Sequence, residues 1–271
     1  MGNISEIILK LMTFFIIYSF LGWVLESVYK SIIQKKFVNS GFLHGPLCPI
    51  YGIGAIIMYI FLNFLSDNII ILFIAGVVVL SIWEYLVGWY LEKMFNTKYW
   101  DYSENKFNLH GRICLVNSIL WGVLGVVFIK FINPIIETQL YNIPTNLIIY
   151  INCIIYVYII VDIISSVIKV KHININLKKL EELKTTIKLK IEELKSIGDN
   201  ITHKPINKES LLNIIEELKE QQNILKHKVS KQVNRLRKAF PTMKSEGLTE
   251  FLSNKLEKTR DILNRAKHKE K

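Results

Sequence analysis

The sequence holds only three cysteines, Cys48, Cys114 and Cys153, each in or beside an apolar stretch. A disulfide framework is therefore not expected. No Cys-x-x-Cys pair occurs, so a zinc ribbon is not expected either. The Gly-x-x-x-x-Gly-Lys-Ser/Thr phosphate loop is missing, which argues that the chain is not itself a nucleotide-driven motor. Gly-x-Ser-x-Gly and His-Glu-x-x-His are also missing, and no nucleophile–base pair stands out, so no enzymatic activity is expected. No charged leader with a short apolar core and a small-residue cleavage site opens the chain, and residues 7–29 read as a retained helix. Net charge is missing from one half only. Residues 1–168 carry nine Lys/Arg and nine Asp/Glu, so the net +11 of the chain lies entirely after them. That asymmetry predicts an apolar-solvent half joined to a water-soluble half.

Long apolar runs are abundant. A spanning helix needs about 20 apolar residues, and five candidates fit: roughly 7–29, 47–65, 69–92, 113–133 and 145–168. Turns at Asn63–Asn68 and Asn133–Pro144 separate some of them, and Trp23, Trp89, Tyr99 and Trp100 read as headgroup anchors. The expected fold is all-α, with a polytopic membrane bundle over 1–170 and a basic helical tail over 171–271. Lysines and arginines set the orientation. The first connection holds Lys30, Lys35 and Lys36, and the third holds Lys93, Lys98, Lys106 and Arg112. The second has none and the fourth only Lys130. Connections one and three and the tail are thus expected in the cytoplasm, with the N-terminus outside a plasma membrane.

An internal repeat runs at an offset of 66. Gly22-Trp23-Val24-Leu25-Glu26 matches Gly88-Trp89-Tyr90-Leu91-Glu92 at four of five positions. Asn39 matches Asn105, Leu43-His44-Gly45 matches Leu109-His110-Gly111, and Cys48 matches Cys114. Nine matches in 27 positions without a gap point to a duplicated two-helix unit over about 12–66 and 78–132. Both copies start on the same side, so they are parallel repeats, with the fifth helix, 145–168, an addition.

The tail carries leucines and isoleucines at three- and four-residue steps (Leu180 to Leu194, Leu211 to Leu236, Leu248 to Leu263), with a break at Gly198–Pro205. These are amphipathic helices, expected as a hairpin or coiled coil that can self-associate. Lysines interleave with glutamates, unlike a nucleic-acid arm; a solvated coiled-coil face explains them better, and clusters such as Arg235–Lys238 also suit anionic lipid.

Acids inside spans are costly and usually face protein or water. Glu26 and Glu92 lie near the inner boundary, each one helical turn from a glycine, Gly22 or Gly88, that lets a neighbour approach closely. Arg112 is the expected counter-charge for both, because Pro46 stands at its equivalent place. The structural alternative is that both glutamates only bond loop backbone or pair with Arg112. Glu84 and Asp162 lie deeper; a polar path and a buried hydrogen bond fit them equally. His44 and His110 each stand four residues before a cysteine, as soft-metal ligands can. Polar residues packed beside small ones explain them better, and no metal is expected.

Five strings carry a family resemblance: Gly41-Phe-Leu-His-Gly-Pro-Leu-Cys-Pro-Ile-Tyr-Gly52, Trp83-Glu-Tyr, Trp100-Asp-Tyr-Ser103, Asn108-Leu-His-Gly-Arg-Ile-Cys114 and Trp121-Gly122. Over roughly residues 12–168 the chain resembles the bacterial, CmpB-like type IV ABC-transporter family of membrane proteins. The resemblance implies a permease-type subunit served by a separate ATPase, without a cofactor. Residues before Gly45 and Gly111 vary in that family, which favours Glu26, Glu84, Glu92 and Arg112 over the histidines as the polar site, with Asp162 a further candidate from its depth in the fifth helix. Gly22, Gly45, Pro46, Pro49, Gly88 and Gly111 are its structural companions. The other reading is a scaffold or sensor that acts through the tail.

The charge count makes a direct prediction. Asp67→Cys, with the native cysteines replaced, should be labelled in intact cells by a membrane-impermeant thiol reagent. Labelling only after permeabilisation reverses the orientation.

Overall fold

A computed structural model of the chain describes residues 4–199 and 208–244. Nearly all of it is helix: α1 (Ile4–Gln34), α2 (Pro49–Leu62), α3 (Ile69–Phe95), α4 (Leu115–Val127), α5 (Asn133–Tyr141), α6 (Thr145–Asp199) and α7 (Lys208–Ala239). A short antiparallel hairpin, β1 (Asn108–Leu109) with β2 (Ile113–Cys114), stands before α4. The described residues fall into two compact units, one of 4–167 with 236–244 and one of 168–199 with 208–235.

The first unit is apolar outside. In the most apolar windows of α1, α3, α4–α5 and α6 only 33%, 28%, 28% and 17% of residues are buried. A water-soluble helix turns its apolar stripe inward instead. Four helical stretches, Ile4–Gln34, Ile69–Phe95, Leu115–Tyr141 and Thr145–Leu194, are long and apolar enough to cross a membrane. The expected span at 47–65 is the shorter Pro49–Leu65. At about 1.5 Å per residue it reaches roughly 25 Å, short of the roughly 30 Å of a hydrocarbon core.

Two boundaries differ from the sequence expectation. The fourth span does not stop at Asn133. A π-helical turn, Phe128–Ile132, carries the helix into α5, and the Asn133 amide bonds the Phe128 carbonyl. Pro134 has no N–H and would crowd the carbonyl one turn back, and the wider turn just before it relieves both problems. The helix of the fifth candidate does not end at 168 either, although the two units divide there. With no proline and no glycine before Gly198, α6 continues from apolar residues into Lys/Glu-rich ones as one helix to Asp199. The expected break at Pro205 and the run 248–263 lie outside the described residues.

Within the first unit α1 packs chiefly on α2, and α3 on α4. Cys48 and Cys114 are the N-cap residues of α2 and α4, so both helices begin at the same place in the 66-residue register. Pro49 takes the first turn of α2, where a missing N–H costs nothing. The core joins Phe14 and Tyr18 of α1, Ala55, Met58 and Leu62 of α2, Leu72 and Leu80 of α3, and Phe128 and Ile129 beyond α4. Small residues bring the backbones together: a Cβ on Gly76 would lie 3.3 Å from the Gly122 Cα. The first part of α6 packs on α1 through Phe15 and Tyr156, stacked at 5.9 Å, and through a buried bond from Asn152 to Thr13.

In the second unit, α6 buries Ile173, Leu177, Leu180 and Ile187, and α7 buries Leu211, Ile215, Val229 and Val233. Both stripes follow helical spacing. Residues 236–244 leave this pattern and join the first unit.

Gly52 and Gly54 separate close approach from open space. A Cβ on Gly52 would lie 2.6 Å from the Phe15 carbonyl oxygen and would also strike Ser19, whereas on Gly54 it would meet only Trp83, at 3.6 Å. Gly52→Ala should lower thermal stability in detergent by about 1–3 kcal/mol, as overpacking does. Gly54→Ala should leave the unfolding temperature near that of the parent or above it.

Candidate functional site

Both long loops that follow α1 and α3 lie at one end of the first unit. Phe42 of the first packs on Phe95 and on Tyr99 of the second, with ring centres 5.5 and 5.7 Å apart. The acids singled out in the sequence gather beneath these loops.

Glu26, near the end of α1, is bound on both oxygens. Oε2 accepts from Lys30 Nζ at 2.5 Å and Ser40 Oγ at 2.6 Å, and Oε1 accepts from Tyr51 OH at 3.0 Å. Lys30 follows Glu26 by four residues, one turn along the same face. The expectation that Glu26 and Glu92 share Arg112 is therefore corrected: Glu26 draws its cation from its own helix. Gly22 makes room for the Tyr51 ring, which a Cβ at that position would strike.

Glu84 sits on α3 with 5% exposure. Trp121 Nε1 donates to Oε2 at 2.9 Å and Tyr102 OH donates to Oε1 at 3.2 Å. Both donors are neutral, and among the described residues no lysine or arginine pairs with this carboxyl. The Tyr51 and Trp121 rings meet at 5.9 Å, so the Glu26 and Glu84 clusters adjoin through an aromatic pair. Burial and then the nearby Glu84 push the Tyr102 hydroxyl well above the ordinary tyrosine range, which keeps it a donor. The polar chain therefore runs through α1, α2, α4, α3 and the 96–107 loop.

Glu92 takes Arg112 through two nitrogens, Nε at 3.0 Å and a terminal nitrogen at 2.8 Å. Both nitrogens converge on one oxygen, Oε2, so the charge-assisted contact is made at a single point of the carboxylate. The other terminal nitrogen of Arg112 donates to Tyr85 OH at 3.1 Å. The β1–β2 hairpin delivers Arg112, because the three residues His110-Gly111-Arg112 turn the chain. His110 and Gly111 both have positive φ, 54° and 69°. Gly111 is required there twice over, since a Cβ would also strike Asp101 and Ser103. Gly88 receives the Trp100 ring and the Arg112 side chain, not a neighbouring helix.

Asp162 of α6 is a loop clamp. Its oxygens accept from the backbone N–H of His44 at 3.0 Å and of Gly45 at 2.7 Å. A side chain at Gly45 would run into Tyr158, and the neighbouring Pro46 is exposed. His44 Nδ1 lies 2.7 Å from Ser166 Oγ and His110 Nδ1 lies 3.1 Å from Tyr85 OH. The two histidines thus have separate polar partners, and among the described residues no group of three or more metal-ligating side chains gathers. Of the expected headgroup anchors, Trp23 donates to Asn39 Oδ1 and Trp100 to the Arg112 carbonyl, and Tyr99 is buried. Of these four only Trp89 is exposed, at 44%, with Lys93 over its ring.

Sequence reasoning passed over Lys30, Ser40, Tyr51, Tyr102 and Trp121. Lys30 was readable from helical spacing, and the three aromatics lie inside the strings that carry the resemblance. It also passed over a second cluster at the far end, where Lys10 pairs with Glu137 at 2.6 Å and donates to Tyr59 at 2.8 Å.

No curated protein and no solved structure matches the chain. The membrane-protein family described as Putative ABC-transporter type IV matches residues 13–167, more than half of the sequence. The match takes in every residue of the polar cluster, the hairpin and the Asp162 clamp. The chain therefore belongs to the Putative ABC-transporter type IV family.

Proposed function

We propose that the first unit is the permease-like subunit of a transporter and that a separate ATPase subunit powers it. The observation that carries this reading is Glu84. A carboxyl inside an apolar bundle, held by two neutral donors and adjoining a second carboxyl, is a poor device for stability alone. The Glu26–Glu84 cluster has two carboxyls and one cation, Lys30. A proton or a cationic group of a substrate would complete it. The second carboxylate–cation pair, Glu92 with Arg112, holds the hairpin.

The rest of the reading follows from charge and register. Five segments, including the short Pro49–Leu65, span the plasma membrane, with the N-terminus outside and the tail cytoplasmic. The shared start of α2 and α4 after Cys48 and Cys114 supports a duplicated two-helix unit with α6 added. Loops 30–46 and 93–112 face the cytoplasm and dock the ATPase. The division into 1–170 and 171–271 is functional, the second part being a basic helical tail that can self-associate or lie against anionic lipid and that does not bind nucleic acid. The protein is not an enzyme, and it needs no metal or cofactor. A scaffold or sensor role is the second reading, favoured by the return of 236–244 to the loops.

Purification of the full chain from its native membrane in mild detergents should bring an ATPase with it. Its complete absence across several detergents overturns the permease reading. In the resulting complex Glu84→Gln should keep the fold and lower ATP turnover. The Arg112–Glu92 pair gives a separate check on the site. Arg112→Ala should cost about 2 kcal/mol of stability, less than the 3–5 typical of a fully buried pair because Glu92 is 30% exposed. Arg112→Lys should cost less, and adding Glu92→Gln to Arg112→Ala should recover part of the loss in folded yield.

A further inference from the structure

The end of α7 and the residues after it are seated on the loop end of the first unit by four kinds of contact. Lys98 and Lys244 exchange both backbone hydrogen bonds as an isolated antiparallel pair, at 2.8 and 2.9 Å. Lys244 Nζ reaches Asp101 Oδ2 at 2.6 Å, and that carboxylate is only 4% exposed. Phe240 stands edge-on to Tyr99 at 5.0 Å, extending the Phe42–Phe95–Tyr99 cluster. The Gln34 side-chain amide nitrogen, Nε2, donates to the Lys238 carbonyl at 2.9 Å. Burial opposes ionisation of Asp101, but Lys244 and Ser103 outweigh it and hold the carboxyl down to about 2, so the pair is charged at neutral pH.

One contact ties this seat to the polar cluster. Lys30 Nζ lies 5.2 Å from the Phe240 ring centre, within cation–π range. The same ammonium is the cation of Glu26 and also donates to Ser40 at 2.8 Å. Lys30 is therefore shared between a carboxylate of the bundle and an aromatic residue of the tail.

We propose that residues 236–244 are a latch that couples the tail to the Glu26 carboxylate through Lys30. When Glu26 is charged and holds Lys30 in place, the ammonium presents itself to Phe240 and the latch is seated. When Glu26 loses its charge or takes another cation, Lys30 is released from its position and the seat of Phe240 weakens. Coupling of this kind is reciprocal, so unseating the latch alters the cation available to Glu26 by the same free energy. It holds whether or not the bundle transports anything, because it needs only these contacts.

Disulfide trapping reads the seat directly. An antiparallel pair that exchanges both hydrogen bonds has Cα atoms about 5.5 Å apart, inside the range a disulfide spans. The full-length chain with Lys98→Cys, Lys244→Cys and Cys153→Ser should cross-link rapidly under mild oxidation in membranes. Adding Glu26→Gln should slow cross-linking about two- to fivefold, the worth of one partly exposed cation–π contact. In a Phe240→Leu background, which keeps an apolar side chain but removes the ring, Glu26→Gln should have no further effect. If Glu26→Gln does not yield folded protein, Lys30→Met crossed with Phe240→Leu forms the same cycle. An unchanged rate in Glu26→Gln reduces the segment to a plain anchor. Equal slowing with and without the Phe240 ring assigns the effect to general loosening. Failure of the parent pair to cross-link removes the latch altogether.

Discussion

Backbone that dips into an apolar bundle has no water to satisfy it, and the loop end of this unit is built around that constraint. The N–H groups of His44 and Gly45 point at the bundle, and the Asp162 carboxylate meets both. The Arg112 carbonyl is met by the Trp100 indole, the Ile50 carbonyl by Trp83, and the His44 carbonyl by Asn39. Without such partners each group would cost a few kcal/mol. Side chains that look like membrane anchors or a polar path in the sequence are thus spent partly on holding loops. That constraint explains why an acid lies so far along α6, and why Trp23 and Trp100 point inward rather than to headgroups.

The sequence conveyed the helices well because apolar length and periodicity are local properties. It also conveyed that Cys48 and Cys114 stand at like places, since each caps the helix that follows its loop. It did not convey that Pro134 is carried inside a helix, because the relieving π turn has no residue signature of its own. The hairpin around Gly111 was equally hidden, as strands of two residues leave no alternation to read. The partner of Glu26 was misread for a different reason. Attention to the equivalent position, Pro46 against Arg112, hid the ordinary four-residue neighbour Lys30. The seat of Phe240 lies some 140 residues from Tyr99 in the sequence and could not be read from spacing at all.

The two loops are similar in sequence and braced differently. Each follows a helix whose last turns carry a glutamate, and each ends at a cysteine that caps the next helix. The first loop is held by α6, through Asp162, Ser166 and Tyr158. The second holds itself with a web in which the Asp101 and Asn108 side chains bond nearby backbone and Asn105 donates to Cys114 Sγ, and then accepts the 236–244 segment along Lys98–Asp101. Both braces come from sequence that follows the paired helices.

That arrangement gives the later part of the chain a place in the chemistry of the earlier part. Without the later sequence the first loop would lose the partner of its His44 and Gly45 N–H groups, and Lys30 would lose its aromatic contact. With Phe240 seated, Lys30 has one position that satisfies Glu26, Ser40 and the aromatic ring together. A group held by three partners moves only when one of them changes. Of the three partners only the Glu26 carboxylate carries a formal charge, so a competing cation acts there.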